Sequence, residues 1–186
     1  MFAEKVRKIV ESKSKGREYY FRFHIVPVVR NAKMLAKMLK ADAEIVEIAA
    51  WLHDITAMAG NPDSHHITGS NEAERILRWL GYPEKKIMRV RHCIHAHSGS
   101  KSVKRETLEA ECVASADAMA HLENIPFLFY VAFKVKKLGI AEGRAWVKDH
   151  LERSWSKLMP EARKMAREKY NVSIKSLATS GLSSRR

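Results

Sequence analysis

Residues 43–60 read AEIVEIAAWLHDITAMAG, and the first ten of them carry the apolar spacing of an amphipathic helix. Asp42 precedes them as an N-cap, and Glu44 falls in the first turn, where the helix dipole favours negative charge. The pattern breaks at the pair His53-Asp54. A protonated histidine suits the C-terminal end of a helix, but a carboxylate there is unfavourable and needs another source of stabilisation. A bound cation is one of the few strong enough. The stretch therefore predicts a buried helix and asks the rest of the chain for partners to Asp54.

Outward from this stretch the hydrophobic spacing stays helical, with no convincing alternation of the strand type. The fold class is all-α, a single-domain bundle of about eight or nine helices. The first helix runs from about Phe2 to Ser12 and ends at SKSKG. The second carries HIVPVVRNAKMLAKMLK (24–40), with Pro27 placed near its first turn, where proline is tolerated. The fourth runs from about Ile67 to Leu80 and stops at Gly81. Pro83 opens the fifth, PEKKIMRVRHCIHAH (83–97), and Thr107 opens a sixth over Leu108–Glu123. Pro126, Gly139 and Pro160 punctuate three more. Residues 1–170 form the domain, with C-terminal helices over 126–170, and the Ser-rich segment 171–186 reads as a flexible tail.

At 186 residues, 46% hydrophobic and 30% charged, the composition is that of a globular protein with a real core. No apolar run approaches the roughly 20 residues that span a bilayer, and the N-terminus lacks a signal-type apolar region, so a cytoplasmic location is expected. Cys93 and Cys112 lie in apolar helical patterns, far from any Cys-x-x-Cys spacing, and read as core thiols. Lys plus Arg exceeds Asp plus Glu by 34 − 21 = 13. That balance attracts phosphates, whether of nucleotides, nucleic acids or lipid headgroups.

Residues able to hold a metal recur in separate segments: His24, His53-Asp54, His65 and His66 in NPDSHHITG, His92, His95 and His97 on the fifth helix, and Asp117 in SADAMAH. Helices that converge on a pocket would bring such residues together. Asp117 is the most informative of the isolated ones. AECVASADAMAHL is otherwise so apolar that its helix should be central, and an ionised carboxylate inside it needs a partner.

The order His24, His53-Asp54, Asp117 resembles the signature of the HD-domain superfamily of metal-dependent phosphohydrolases. HIVPVVRNA is similar to its opening His-x3-Val-x3-Ala, AAWLHDI to its central motif, and HHITGSNEAERIL to the His-x3-Gly helix start that follows. CIHAHSGSK and LEAECVASADAMAHL are similar to the next two blocks of small stand-alone members. The resemblance implies an HD core over about 24–123, in which His24, His53, Asp54 and Asp117 ligate one metal and His65 and His97 hold a second. It implies hydrolysis of a phosphate ester or anhydride of a small molecule, a nucleotide foremost, with Asp54 as the catalytic carboxylate. Imidazoles and carboxylates suit Mn, Fe, Co, Ni or Zn better than Mg. Two departures stand out. Ser98 follows His97 where many dinuclear relatives have a second histidine, so the second ion should be the weaker one. HDITAMAG also has no acidic residue close after Asp54 to serve in acid–base work.

Other features have plainer readings. Lys101 and Lys104, in the loop after His97, are substrate-phosphate candidates, as is His66, which competes with His65 for the place facing the site. His92 and His95 read as solvated, and His121, one turn after Asp117, as a hydrogen-bonded core residue, with a place facing the pocket as the alternative. FLFYVAF (127–133) reads as core, with a stacking surface for nucleobases as the alternative, and the stripe of Trp146, Trp155 and Met159 reads as packing of the C-terminal helices or a contact in a homo-oligomer. Two rivals to the enzyme reading are a non-catalytic metal and nucleotide sensor, favoured by the missing acidic residue, and a nucleic-acid-binding module, favoured by the charge but without a reading motif.

Overall fold

The computed structural model describes residues 1–60, 64–98 and 103–178. Its elements are α1 (Phe2–Lys13), α2 (Glu18–Tyr20), a π-helical turn (Phe21–Ile25), α3 (Val26–Leu39), α4 (Ala43–Leu52) and α5 (Ile55–Met58). They continue with α6 (His65–Trp79), α7 (Glu84–Ala96), α8 (Leu108–Glu123), α9 (Ile125–Tyr130), a second π-helical turn (Val131–Val135), α10 (Ile140–Lys157) and α11 (Pro160–Leu177). No strand occurs among the described residues, and the fold is all-α.

Helix α8 is the centre of the bundle. Ala110, every residue from Cys112 to Ala120, and Leu122 are buried, which leaves almost no polar face. Helices α3, α4, α7, α10 and α11 all pack on it. Helix α4 is nearly as enclosed, buried from Ile48 through Leu52 and packed on α1, α3, α7 and α8. Local chemistry sets the starts of both. The Asp42 carboxylate accepts from the Ile45 amide at 3.3 Å, and the Thr107 hydroxyl accepts from the Ala110 amide at 3.2 Å. Both cysteines are buried free thiols.

The helix carrying His24 starts earlier than Pro27 suggests. From Glu18 to Leu39 the chain is helical without a break, and it passes Pro27 through the π-helical turn, in which the Val26 amide donates to Phe21 O. Proline has no N–H to give the carbonyl four residues back, Phe23 O, which would cost the helix a bond. The Asn124 side chain replaces it, donating from Nδ2 to Phe23 O at 2.7 Å. A single π-type bulge is a common way to turn one residue inward at a functional site, and here the turn contains buried His24.

A second boundary also moves. Helix α11 continues past residue 170 to Leu177, because Leu177 buries its side chain and the Ser173 and Ser176 hydroxyls bond to the carbonyls four residues back, at 2.6 and 2.7 Å. Residues 179–186 of the expected tail lie outside the described residues. Trp155 stacks on Tyr170 with centroids 4.3 Å apart, joining α10 to α11, and Met159 is buried between the two helices in sequence. In the FLFYVAF run, Phe127 and Leu128 are buried, while Tyr130 and Phe133 are exposed. No helix among the described residues is long and apolar enough to cross a membrane.

Candidate metal centre

Helix α4 ends at Leu52 and α5 begins at Ile55, so His53 and Asp54 occupy the corner between them. At Asp54 the backbone leaves helical values (φ −116°, ψ 23°) and restarts as the residue preceding α5. Its carboxylate therefore stands at the head of a new turn as well as the tail of an old one. Helix α6 presses on this corner through Gly69, where a Cβ would meet His53 O at 3.4 Å. Thr56 Oγ1 adds a 3.0 Å bond to Thr68 Oγ1, which locks the start of α6 against α5.

Two groups of donors meet at Asp54. On one side, Asp54 Oδ2 lies 3.2 Å from His24 Nε2 and 3.4 Å from His53 Nε2, and the two imidazole nitrogens are 3.2 Å apart. Asp117 Oδ1 joins them at 3.5 Å from His24 Nε2 and 4.0 Å from His53 Nε2. On the other side, Asp54 Oδ1 lies 3.4 Å from His65 Nε2 and 3.5 Å from His97 Nε2, which are themselves 3.3 Å apart. One carboxylate thus faces both groups, one oxygen to each.

The donor set fits a cation. Ligands on a common ion with bonds of about 2.1 Å stand about 3.0–3.4 Å apart at octahedral or tetrahedral angles, close to most of these separations. The tautomers agree. His53 Nδ1 is 2.8 Å from Ala50 O and His97 Nδ1 is 2.5 Å from Ile94 O, so each donates its Nδ1 proton to a backbone carbonyl and, when neutral, turns a bare Nε2 lone pair inward. Asp54 Oδ1, though buried, makes no hydrogen bond. A buried polar atom left so is costly unless something else satisfies it.

Burial would raise the Asp54 carboxyl, but the charge of His53 and the close imidazoles of His24, His53 and His97 outweigh it and hold the carboxyl well below the usual range. Burial pulls His53 down, and Asp54 followed by Asp117 more than offsets this, so its pKa rises. A cation bound here would take over the balancing of Asp54 and compete with protons for the imidazole nitrogens. Asp117 is likewise pushed up by burial and brought well below its usual value by Lys157, then by His121, His24 and His53. Burial lowers His97, its largest influence.

Beyond the sequence-predicted ligands, the structure adds Tyr20, His150 and Lys157, and it brings His121 to the cleft, the alternative its sequence position left open. Tyr20 Oη donates to Asp54 Oδ2 at 2.7 Å, and burial, then Asp54, raises its pKa well above the usual value, so it stays a donor. His121 Nε2 lies 3.7 Å from Asp117 Oδ1, while its Nδ1 is 3.3 Å from Ser154 Oγ, so it borders the cluster. Its position one turn after Asp117 was the available signal. Lys157 Nζ donates to Asp117 Oδ2 at 2.5 Å. His150 packs edge-on against His121 at 4.4 Å, and burial lowers its pKa to about 4. These residues open onto a cleft of about 450 Å³, lined also by His65, His97 and Ser98, a volume within the range of small-molecule sites.

The other candidates fall outside this cleft. His66 stacks on His95 with centroids 5.6 Å apart, and burial, then His65 and His95, lowers its pKa. His92 accepts the Glu106 amide at 3.1 Å, so neither it nor His95 is merely solvated. Lys104 is exposed and does not line the cleft, and Lys101 lies outside the described residues.

Fold and site together define an all-α protein with a buried histidine–aspartate centre suited to divalent metal. Residues 22–122 match the model of the HD domain, and the chain belongs to that family. The fold is also similar to the crystal structure of a predicted HD superfamily hydrolase from an uncultured Thermotogales bacterium. The TM-score is 0.65 at 20% identity, over 94% of this chain and 88% of that one, a likeness of fold. No curated protein matches the sequence.

Proposed function

We infer that the protein is a metal-dependent phosphohydrolase that cleaves a phosphate ester or anhydride of a small molecule, a nucleotide foremost. The observation that carries this reading is Asp54, which turns one oxygen to each of two imidazole groups at the floor of an open cleft. His24, His53 and Asp54, with Asp117 beside the two imidazoles, would hold one cation, and Asp54, His65 and His97 a second, weaker one. When bound, such a cation polarises a phosphoryl oxygen and makes water a competent nucleophile near neutral pH.

The chain's own residues do the rest. Tyr20 fixes Oδ2 of Asp54 by its hydrogen bond, which turns Oδ1 to the His65 and His97 side, where it takes a proton from the attacking water while the weaker second site is empty. The imidazoles keep that carboxylate ionised. The cleft gives the phosphoryl group a bounded place beside the Asp54 carboxylate, between His65 and His97 on one side and His121 and Lys157 on the other.

The test is a phosphate-release screen over nucleotides and general phosphoesters, with Mn, Co, Ni, Zn and Mg supplied in turn. Turnover is expected with at least one transition ion, and silence across the panel refutes the reading. A binding-only sensor is the second reading, because the carboxylates among the described cleft residues are Asp54 and Asp117, both in the metal cluster. Nucleotide binding without turnover would select it.

A further inference from the structure

Helix α10 lies outside the part of the chain that matches the HD domain, yet it forms one wall of the cleft. His150, Arg153, Ser154 and Lys157 line the opening at positions i, i+3, i+4 and i+7 of that helix. The two cations among them differ in setting. Arg153 is 56% exposed and paired with Asp149 on the same helix, an arrangement that fixes little. Lys157 is only 14% exposed, and its Nζ bonds Asp117 Oδ2.

Lys157 is also held from its backbone. Its carbonyl accepts from Arg105 Nη1 at 2.9 Å, and the same nitrogen pairs with Glu111 Oε2 at 3.1 Å on α8. Two residues later the Met159 amide donates to Ser115 Oγ at 3.0 Å. The end of α10 is thus tied to α8 at three points, one of them the Lys157 ammonium on Asp117. An ammonium has three N–H donors, and Asp117 takes one of them. Since Lys157 lines the cleft beside the carboxylate of the metal cluster, the remaining donors are available to a ligand there.

We propose that Lys157 binds a non-bridging oxygen of the substrate's phosphoryl group, with Asp117 as the anchor that aims it. The proposal deepens the phosphohydrolase reading and rests on the same cleft, but it assigns the phosphate contact to α10 and not to the loop after His97. A compact ammonium suits this place because it can serve the carboxylate and the phosphate oxygen at once as a point charge.

The probe is inorganic phosphate, titrated calorimetrically into manganese-loaded wild type, Lys157→Met and Lys157→Gln, with metal content measured on each. Loss of one charge-assisted hydrogen bond should weaken phosphate binding about tenfold or more in both variants. Metal content should hold at the wild-type level, since Lys157 is not a ligand. Lys157→Arg should recover part of the affinity, because a cation remains. With any phosphoester that wild type hydrolyses, Lys157→Met should raise KM by a similar factor.

Phosphate binding unchanged in both neutral variants would overturn the proposal, as would metal lost in step with phosphate, which would show that Lys157 only steadies Asp117. The two readings fail separately. Lys157-dependent phosphate binding in a protein that turns over nothing keeps the anion site and removes the hydrolase. Turnover and phosphate affinity untouched by Lys157→Met keep the hydrolase and remove the anion site.

Discussion

Replacing Asp54 by Asn should uncouple the protein's stability from metal. The substitution keeps the shape of the side chain but converts the oxygen 3.2 Å from His24 Nε2 and 3.4 Å from His53 Nε2 into part of a neutral amide. The first group keeps His24, His53 and Asp117, whereas the second keeps only His65 and His97. A cation that binds only the folded state stabilises it by RT ln(1 + [L]/Kd), about 2.7 kcal/mol at a hundredfold excess over Kd. In a domain of this size each kcal/mol moves the melting temperature by roughly 2–4 °C, so chelator should lower that of wild type by about 5–10 °C.

If the lost anionic ligand weakens binding about a hundredfold, the same metal concentration sits near Kd. The stabilisation then falls to about 0.4 kcal/mol, or roughly 1 °C. The assay is thermal unfolding of each protein with a fixed manganese concentration and again with excess chelator. Only the difference within each protein counts, because removing Asp54 also removes the partner that raises His53 in the metal-free state. Equal chelator responses in wild type and Asp54→Asn would refute the assignment of Asp54 as a shared ligand.

His65→Ala combined with His97→Ala should retain the first cation by elemental analysis yet lose most turnover; full activity, or loss of the tightly held ion, would contradict the division into two groups. His150 predicts a pH effect: it is neutral in both states above its ordinary value of 6.5, and the unfolded chain alone binds the proton as pH falls toward about 4. Its contribution is therefore lost on acidification, by up to about 3 kcal/mol across that window, and denaturant curves for wild type against His150→Phe should converge or cross as pH drops from 7 to 4. Asn124→Ala should cost about 1 kcal/mol through loss of its hydrogen bond to the Phe23 carbonyl, and less in a Pro27→Ala background that restores the backbone donor. An identical cost in both backgrounds would show that the two do not share that carbonyl.

What the sequence makes legible here is local. Asp42 and Thr107 announce the starts of α4 and α8 because a cap bond spans three residues, and the apolar run around Asp117 announces a central helix because burial on every face leaves no polar stripe. The early start at Glu18 is not legible from Pro27, since the group that compensates for the proline, Asn124, is 101 residues away from Phe23. Lys157 and His150 are hidden for a related reason. On α10 their spacing is equally that of a solvated face, and only packing on α8 turns it toward the cleft.

The pair His53-Asp54 shows how both kinds of information meet. In a continuous helix, adjacent side chains project about 100° apart, so neighbours cannot serve one centre. The chain resolves this by ending α4 at Leu52 and restarting at Ile55, with Asp54 held off helical geometry between them. The break brings His53 Nε2 and Asp54 Oδ2 to 3.4 Å, and it leaves Asp54 Oδ1 for His65 and His97. It also gives the carboxylate the first position ahead of a new helical turn, where the dipole of α5 no longer opposes it. A substitution that re-forms one straight helix through the corner should therefore separate the two ligands without touching either. Thr56→Ala, which removes the bond to Thr68 that holds α5 against α6, tests this: weaker metal binding with all the ligands intact is the expected outcome, and unchanged affinity would show that Gly69 and the core packing alone maintain the break.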